Sequence, residues 1–110
     1  MKVAIVGSRG LMVDDFEKYL PENTHEIISG GAKGIDTCAA EYAQNNGILL
    51  TVIKPDYSRY KKGAPIVRNK EIVKLAELVL IFWDGKSKGT KSVIDECEKT
   101  GKKYLLYTIQ

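Results

Sequence analysis

Four short stretches of the chain are almost uniformly apolar, Val3 to Gly7, Ile48 to Ile53, Leu78 to Trp83 and Tyr104 to Tyr107, and Glu26 to Ser29 repeats the form around Ile27-Ile28. Each has the length of a strand, and runs of this kind suit strands of a parallel sheet covered on both faces. Between them the period changes. Ile35, Cys38, Ala39, Tyr42 and Ala43 recur at i, i+3, i+4, i+7 and i+8, which is one stripe of a helix ended by Gly47. Ile66 to Ala76 predicts another helix, and Thr90 to Thr100 a further one stopped by Gly101. Asp14-Asp15-Phe16-Glu17, with acids placed for a first turn, predicts a helix between the first two strands.

Strand and helix therefore alternate from end to end. Right-handed crossovers between parallel strands give an α/β fold of three layers, doubly wound around a five-stranded parallel sheet with the expected order 3-2-1-4-5. In that order the chain reverses direction across the sheet between the first and fourth strands. A crevice for ligands opens there, above the carboxyl ends of the strands.

The chain has 110 residues, which suits one domain over residues 1–110 with one hydrophobic core. An apolar fraction of 44% and a charged fraction of 28% are those of an ordinary globular protein, with no repeat or low-complexity tract. The first apolar run is too short for a signal peptide or a membrane span, so a cytoplasmic location and no membrane partner are expected. Cys38 and Cys97 each fall among apolar neighbours in a predicted helix and read as buried thiols, and no metal site is expected.

The net charge of +3 is unevenly distributed. Residues 1–50 carry four basic and seven acidic side chains, whereas residues 51–110 carry thirteen basic and seven acidic, a net of +6. That bias favours an anionic partner, although scattered lysines are also what a solvated helix face looks like.

Three strand-to-helix loops are built from small residues: Gly7-Ser8-Arg9-Gly10, Ser29-Gly30-Gly31-Ala32-Lys33-Gly34, and Asp84-Gly85-Lys86-Ser87-Lys88-Gly89-Thr90. The topology brings all three to one edge of the sheet. Glycine there allows positive φ and lets backbone N–H groups close on an anion, while the following helix N-terminus adds partial positive charge. A single glycine loop is explained by a tight turn. Three of them, each with a basic residue (Arg9, Lys33, Lys86 and Lys88) and a hydroxyl nearby (Ser8, Ser29, Ser87, Thr90), point to phosphate binding. Neither G-x-G-x-x-G nor GxxxxGK[ST] occurs, which disfavours an ordinary NAD(P) dehydrogenase or a P-loop ATPase.

These strings resemble the SLOG superfamily, named after the Rossmann domain of the DNA-uptake protein DprA (Smf) and the Lonely Guy cytokinin-activating enzymes. The similarity rests on Ile5-Val6-Gly7-Ser8-Arg9, Ser29-Gly30-Gly31-Ala32-Lys33-Gly34-Ile35-Asp36, Arg68-Asn69 and Ser87-Lys88-Gly89-Thr90, in an order closest to the small stand-alone branch related to YspA and YpsA. The resemblance implies a Rossmann-like domain that binds or senses a nucleotide, nucleotide sugar or NAD-derived metabolite, needs no cofactor, and is compatible with a homodimer. It implies that Gly7, Ser8 and Arg9 floor the site, that Gly30, Gly31 and Gly34 take a phosphate or ribose, and that Gly89 and Thr90 face them. Arg68 would reach over the ligand, its fork matching a phosphate bidentately. Asp36 could accept a ribose hydroxyl or cap the helix it opens, and Asn69 could brace Arg68 or make a local turn. Lys33, Ser29, Asp84 and Ser87 complete the candidate set.

In the Lonely Guy enzymes, which are phosphoribohydrolases, a glutamate follows the glycine and threonine after two residues. Here that position is Val93. Without the carboxylate, and with His25 placed at the far end of the sheet, no catalytic set is assembled and binding without chemistry is the first reading. Single-stranded DNA binding, as in the DprA-like proteins, is the alternative suggested by the basic second half. A nucleosidase using Asp36 or Asp84 is a third. Trp83 is read either as a stacking platform for a base or as a plug ending its strand. Tyr57 and Tyr60 about Arg59 are read as a packed loop anchor or as part of a nucleic-acid groove.

Overall fold

A computed structural model of the chain describes residues 1–109. Its sheet has five parallel strands in the order β3-β2-β1-β4-β5, with β1 at Lys2–Gly7, β2 at Glu26–Ser29, β3 at Leu49–Val52, β4 at Leu78–Trp83 and β5 at Tyr104–Thr108. This is the expected doubly wound order. Helix α1 (Ile35–Asn45) lies on one face, and helices α3 (Ala64–Leu75) and α4 (Lys88–Thr100) lie on the other; a short helix, α2 (Tyr57–Tyr60), precedes α3.

Alternation along β1 divides the core between the layers. Val3 and Ile5 join Ile27, Leu80, Phe82 and the α1 residues Ile35, Ala39 and Ala43, while Ala4 and Val6 join Ile28, Val79 and Ile81 beneath Ile72, Val73, Val93 and Ile94. The outer strands are less well covered. Leu49 on β3 and Leu105 and Leu106 on β5 are exposed, because the covering elements sit over the central strands. Cys38 and Cys97 are both buried free thiols.

The first crossover departs from the helix expected at Asp14. Only a 3₁₀ turn, Phe16–Lys18, forms there. Pro21 disfavours α-helical geometry at Leu20, so fewer than two turns are available after Asp14. Side-chain burial takes over as the organising force. The 3₁₀ turn sets residues i and i+3 on one side, and Phe16 and Tyr19 both reach Phe82, with ring centroids 5.7 and 5.1 Å away, edge to face. Tyr107 stacks on Phe82 from the neighbouring strand at 5.2 Å. The aromatic cluster closes this face of the sheet where a helix was expected.

Candidate functional site

A cavity of about 350 Å³ opens above the carboxyl ends of β1 and β4, where the strand order reverses. Four segments line it: Val6 to Gly10 after β1, Gly30, Ala32 and Asp36 after β2, Pro65, Arg68, Asn69 and Ile72 on α3, and Asp84, Ser87, Gly89, Thr90 and Val93 from the end of β4 into α4. Its size is at the lower end of that for small-molecule sites.

The loop after β1 is held by Ser8, which is buried. Its N–H donates to the Phe82 carbonyl at 3.0 Å, and its Oγ accepts the Asp84 N–H at 3.1 Å and shares a hydrogen bond with Ser87 Oγ at 3.0 Å. Gly7 permits this junction, because a Cβ there would press on Ile35 at the start of α1. Asp84 has one oxygen, Oδ1, committed to the Lys86 and Ser87 N–H groups, both at 2.8 Å. Those bonds hold its carboxyl below the usual range, as an ionised brace of its own turn. Trp83 donates from Nε1 to the Ser87 carbonyl at 3.0 Å and packs on the core, outside the cavity lining.

Helix α4 begins at the cavity with no side chain capping its first turn. Ser87 contributes its carbonyl to Lys91 N–H, which leaves the first N–H groups of the helix, beside Gly89 and Thr90, without intrahelical partners. An anion is the natural complement to that end.

Arg68 crosses from the second turn of α3. Nη1 donates to the Gly30 carbonyl at 2.7 Å and Nε to Asn69 Oδ1 at 2.9 Å. Asn69 is itself fixed by donation to Ser92 Oγ at 2.9 Å and to the Gly89 carbonyl at 3.4 Å, so it braces Arg68 against α4. Partial burial lowers the basicity of Arg68 and the nearby Asp36 raises it again; guanidinium stays charged throughout.

Asp36 is 6% exposed. Its Oδ2 accepts the Ala32 N–H at 3.0 Å, in the loop before α1, so the carboxylate supports the loop and does not cap its own helix. Its Oδ1 is buried with no hydrogen-bond partner among the described residues. Burial raises the Asp36 carboxyl above the usual aspartate range, opposed in part by the Ala32 N–H, the Arg68 charge and the Gly30 N–H.

Four of the residues expected at the site lie outside the lining. Ser29 is buried and its Oγ accepts the Gly31 N–H at 3.3 Å; Gly31 and Gly34 take φ of +73° and +79° and shape the turn; Lys33 is exposed. Gly34 is further constrained, since a Cβ on it would overlap the Arg9 carbonyl. The apolar wall of Val6, Pro65, Ile72 and Val93 was not among the expected site residues. Helical spacing carried the signal for part of it: Pro65, Arg68, Asn69 and Ile72 form one row on α3, and Val93 lies three residues after Thr90.

A second, open groove of about 660 Å³ runs between Met12–Glu17 and α1. Asp14, Glu17 and Glu41 line it, the wrong sign for an anion. His25 sits at the opposite end of β2, against the N-terminal amine. Tyr57 is exposed and Arg59 stacks over Tyr60 at 5.2 Å, with neither tyrosine in the cavity lining. Among the described residues no helix is long and apolar enough to cross a membrane.

Glycine loops and a crossing arginine at the switch point of a doubly wound parallel sheet define a Rossmann-like protein of the SLOG superfamily. More particularly, residues 1–60 match the YAcAr model, the YspA, cpYpsA-related SLOG family, and the chain belongs to that family. No curated protein and no solved structure matches it. The matched segment carries the first two glycine loops and Asp36, while Arg68, Asn69 and α4 lie beyond it.

Proposed function

We propose that the protein binds a nucleotide-derived, phosphate-bearing ligand in the cavity at the carboxyl edge of the sheet. The observation that carries this reading is the convergence of Arg68, the uncapped start of α4 and the Ser8 loop on one cavity of about 350 Å³. Each supplies N–H donors, and Arg9, unlike the half-buried Arg68, adds an exposed guanidinium among the lining residues. An anion would complete the hydrogen bonding of the helix end and meet the free edge of the Arg68 fork.

Binding without hydrolysis follows from Val93. It is 2% exposed in the cavity wall, at the position where the Lonely Guy signature has its glutamate, and an apolar side chain there neither polarises a leaving group nor activates water.

Thermal denaturation with AMP, ADP, ATP, ADP-ribose and NAD tests the proposal. At roughly 100-fold excess over its dissociation constant, a true ligand adds about 2.7 kcal/mol, an increase in Tm of about 10 °C for a chain of this size. A panel that leaves Tm unmoved overturns it.

A further inference from the structure

We infer that the site recognises the sugar of a ribonucleotide, with Asp36 accepting a hydrogen bond from the 2′- or 3′-hydroxyl of the bound ligand. This rests on the nucleotide reading above and adds the feature of the ligand that the pocket discriminates.

The argument starts from an incomplete set of hydrogen bonds. A carboxylate offers about four acceptor positions. Asp36 uses one of its oxygens for the Ala32 N–H and lies near the Gly30 N–H, while Oδ1 is buried with no hydrogen-bond partner among the described residues. Leaving such an oxygen unpaired is destabilising, and buried polar atoms in folded proteins are almost always paired. Arg68 does not supply the donor. It forms no ion pair with Asp36 within 4.0 Å, and its Nη1 goes to the Gly30 carbonyl instead.

The position of the orphan defines what would satisfy it. Asp36 lines the cavity and its Oδ1 is buried without a partner; the soft χ2 torsion of aspartate is the motion that would turn a carboxylate oxygen towards a donor in the cavity. Gly30 leaves room for the carboxylate and the guanidinium on either side of it: a Cβ there would lie 2.6 Å from Arg68 Nη1 and 3.2 Å from Asp36 Oδ2. The ligand must therefore present a neutral O–H or N–H donor to Asp36 and an anionic group to Arg68 and α4, a short distance apart. A ribose 5′-phosphate unit has that arrangement. Phosphate oxygens themselves are excluded from the Asp36 side, because two anions would meet there.

The test is a calorimetric comparison of AMP, 2′-deoxy-AMP and 3′-deoxy-AMP on the natural protein and on Asp36→Asn. The expected result is that loss of one sugar hydroxyl weakens binding to the natural protein by about tenfold or more, the range for a hydrogen bond to a charged group. In Asp36→Asn the ribo and deoxy forms should differ by less than about threefold. Equal affinity of AMP and both deoxy forms for the natural protein overturns the inference and leaves the nucleotide reading intact. Discrimination that survives in folded Asp36→Asn overturns it too. If none of the three binds, and the wider panel also fails, the nucleotide reading falls and takes this inference with it.

Discussion

Arg68 Nη1 donates a 2.7 Å hydrogen bond to the Gly30 carbonyl oxygen, tying α3 to the loop after β2 across 38 positions of sequence. The same guanidinium is held through Nε by Asn69, which is anchored to α4. Arg68 and Asn69 together thus join three of the four segments around the cavity and hold the guanidinium in one orientation.

Arg68→Ala should weaken AMP binding by about tenfold to a hundredfold while changing the stability of the ligand-free protein by no more than about 1 kcal/mol, since the lost bonds are offset by relief of a half-buried charge. Arg68→Lys should not restore affinity, because an ammonium cannot hold Gly30 and Asn69 and still face the ligand with a planar fork. Calorimetry together with urea denaturation checks both parts. Full affinity in either variant contradicts the assigned role.

The raised carboxyl of Asp36 has a consequence for pH dependence. Between the ordinary aspartate value and the raised one, the native state keeps a proton that the unfolded chain has released, so stability falls as pH rises through that interval and stays lower above it. Asp36→Asn removes this titration. The ligand-free variant should be more stable than the natural protein near neutral pH, by about 1 kcal/mol, and should lose the corresponding slope in midpoint measured from pH 4 to 7. A less stable variant at pH 7 would show that the carboxylate is satisfied in solution.

Gly34 and Gly101 both have φ above +70°, but they differ in what surrounds them. Gly101 ends α4 in open space, so Gly101→Ala should cost about 1 kcal/mol, the left-handed backbone penalty alone. At Gly34 a Cβ would also overlap the Arg9 carbonyl, and Gly34→Ala should destabilise by about 3 kcal/mol or more. Chemical denaturation of the pair gives the difference; equal losses would mean that the two loops yield to one another easily.

Lys61 and Lys62 are exposed on the turn before α3 and do not line the cavity. Reversing both to glutamate should leave AMP affinity within about twofold, because exposed charges are screened over a Debye length of roughly 8 Å at physiological salt. Single-stranded DNA should bind weakly at that salt. Tight binding that lengthens with the strand, falls steeply with salt and vanishes in the double variant would favour the nucleic-acid alternative.

Incubating the natural protein with AMP should release no adenine above the uncatalysed level, as Val93 fills the wall where a carboxylate would act. Chromatography of the reaction detects free base. Turnover would direct attention to Asp36, the one buried carboxylate in the cavity lining.

The sheet and its order were legible in the sequence because the five strands and the glycine loops leave local marks: an apolar run for a strand such as Leu78–Trp83, a stripe at helical spacing for α1, and a glycine where the backbone must turn. The first two loops and Asp36 also lie inside the segment matched by the family model. Other features depended on the tertiary structure. Pro21 and the pull of Phe82 on Phe16 and Tyr19 replaced an expected helix with a single 3₁₀ turn. Lys33, next in sequence to Ala32 of the lining, faces solvent, while Val6, Ile72 and Val93 form part of the wall. Sequence reports the chemistry of each residue and its local backbone preference. Which side chains share a cavity, and which buried oxygen is left without a partner, are decided by packing between elements far apart along the chain.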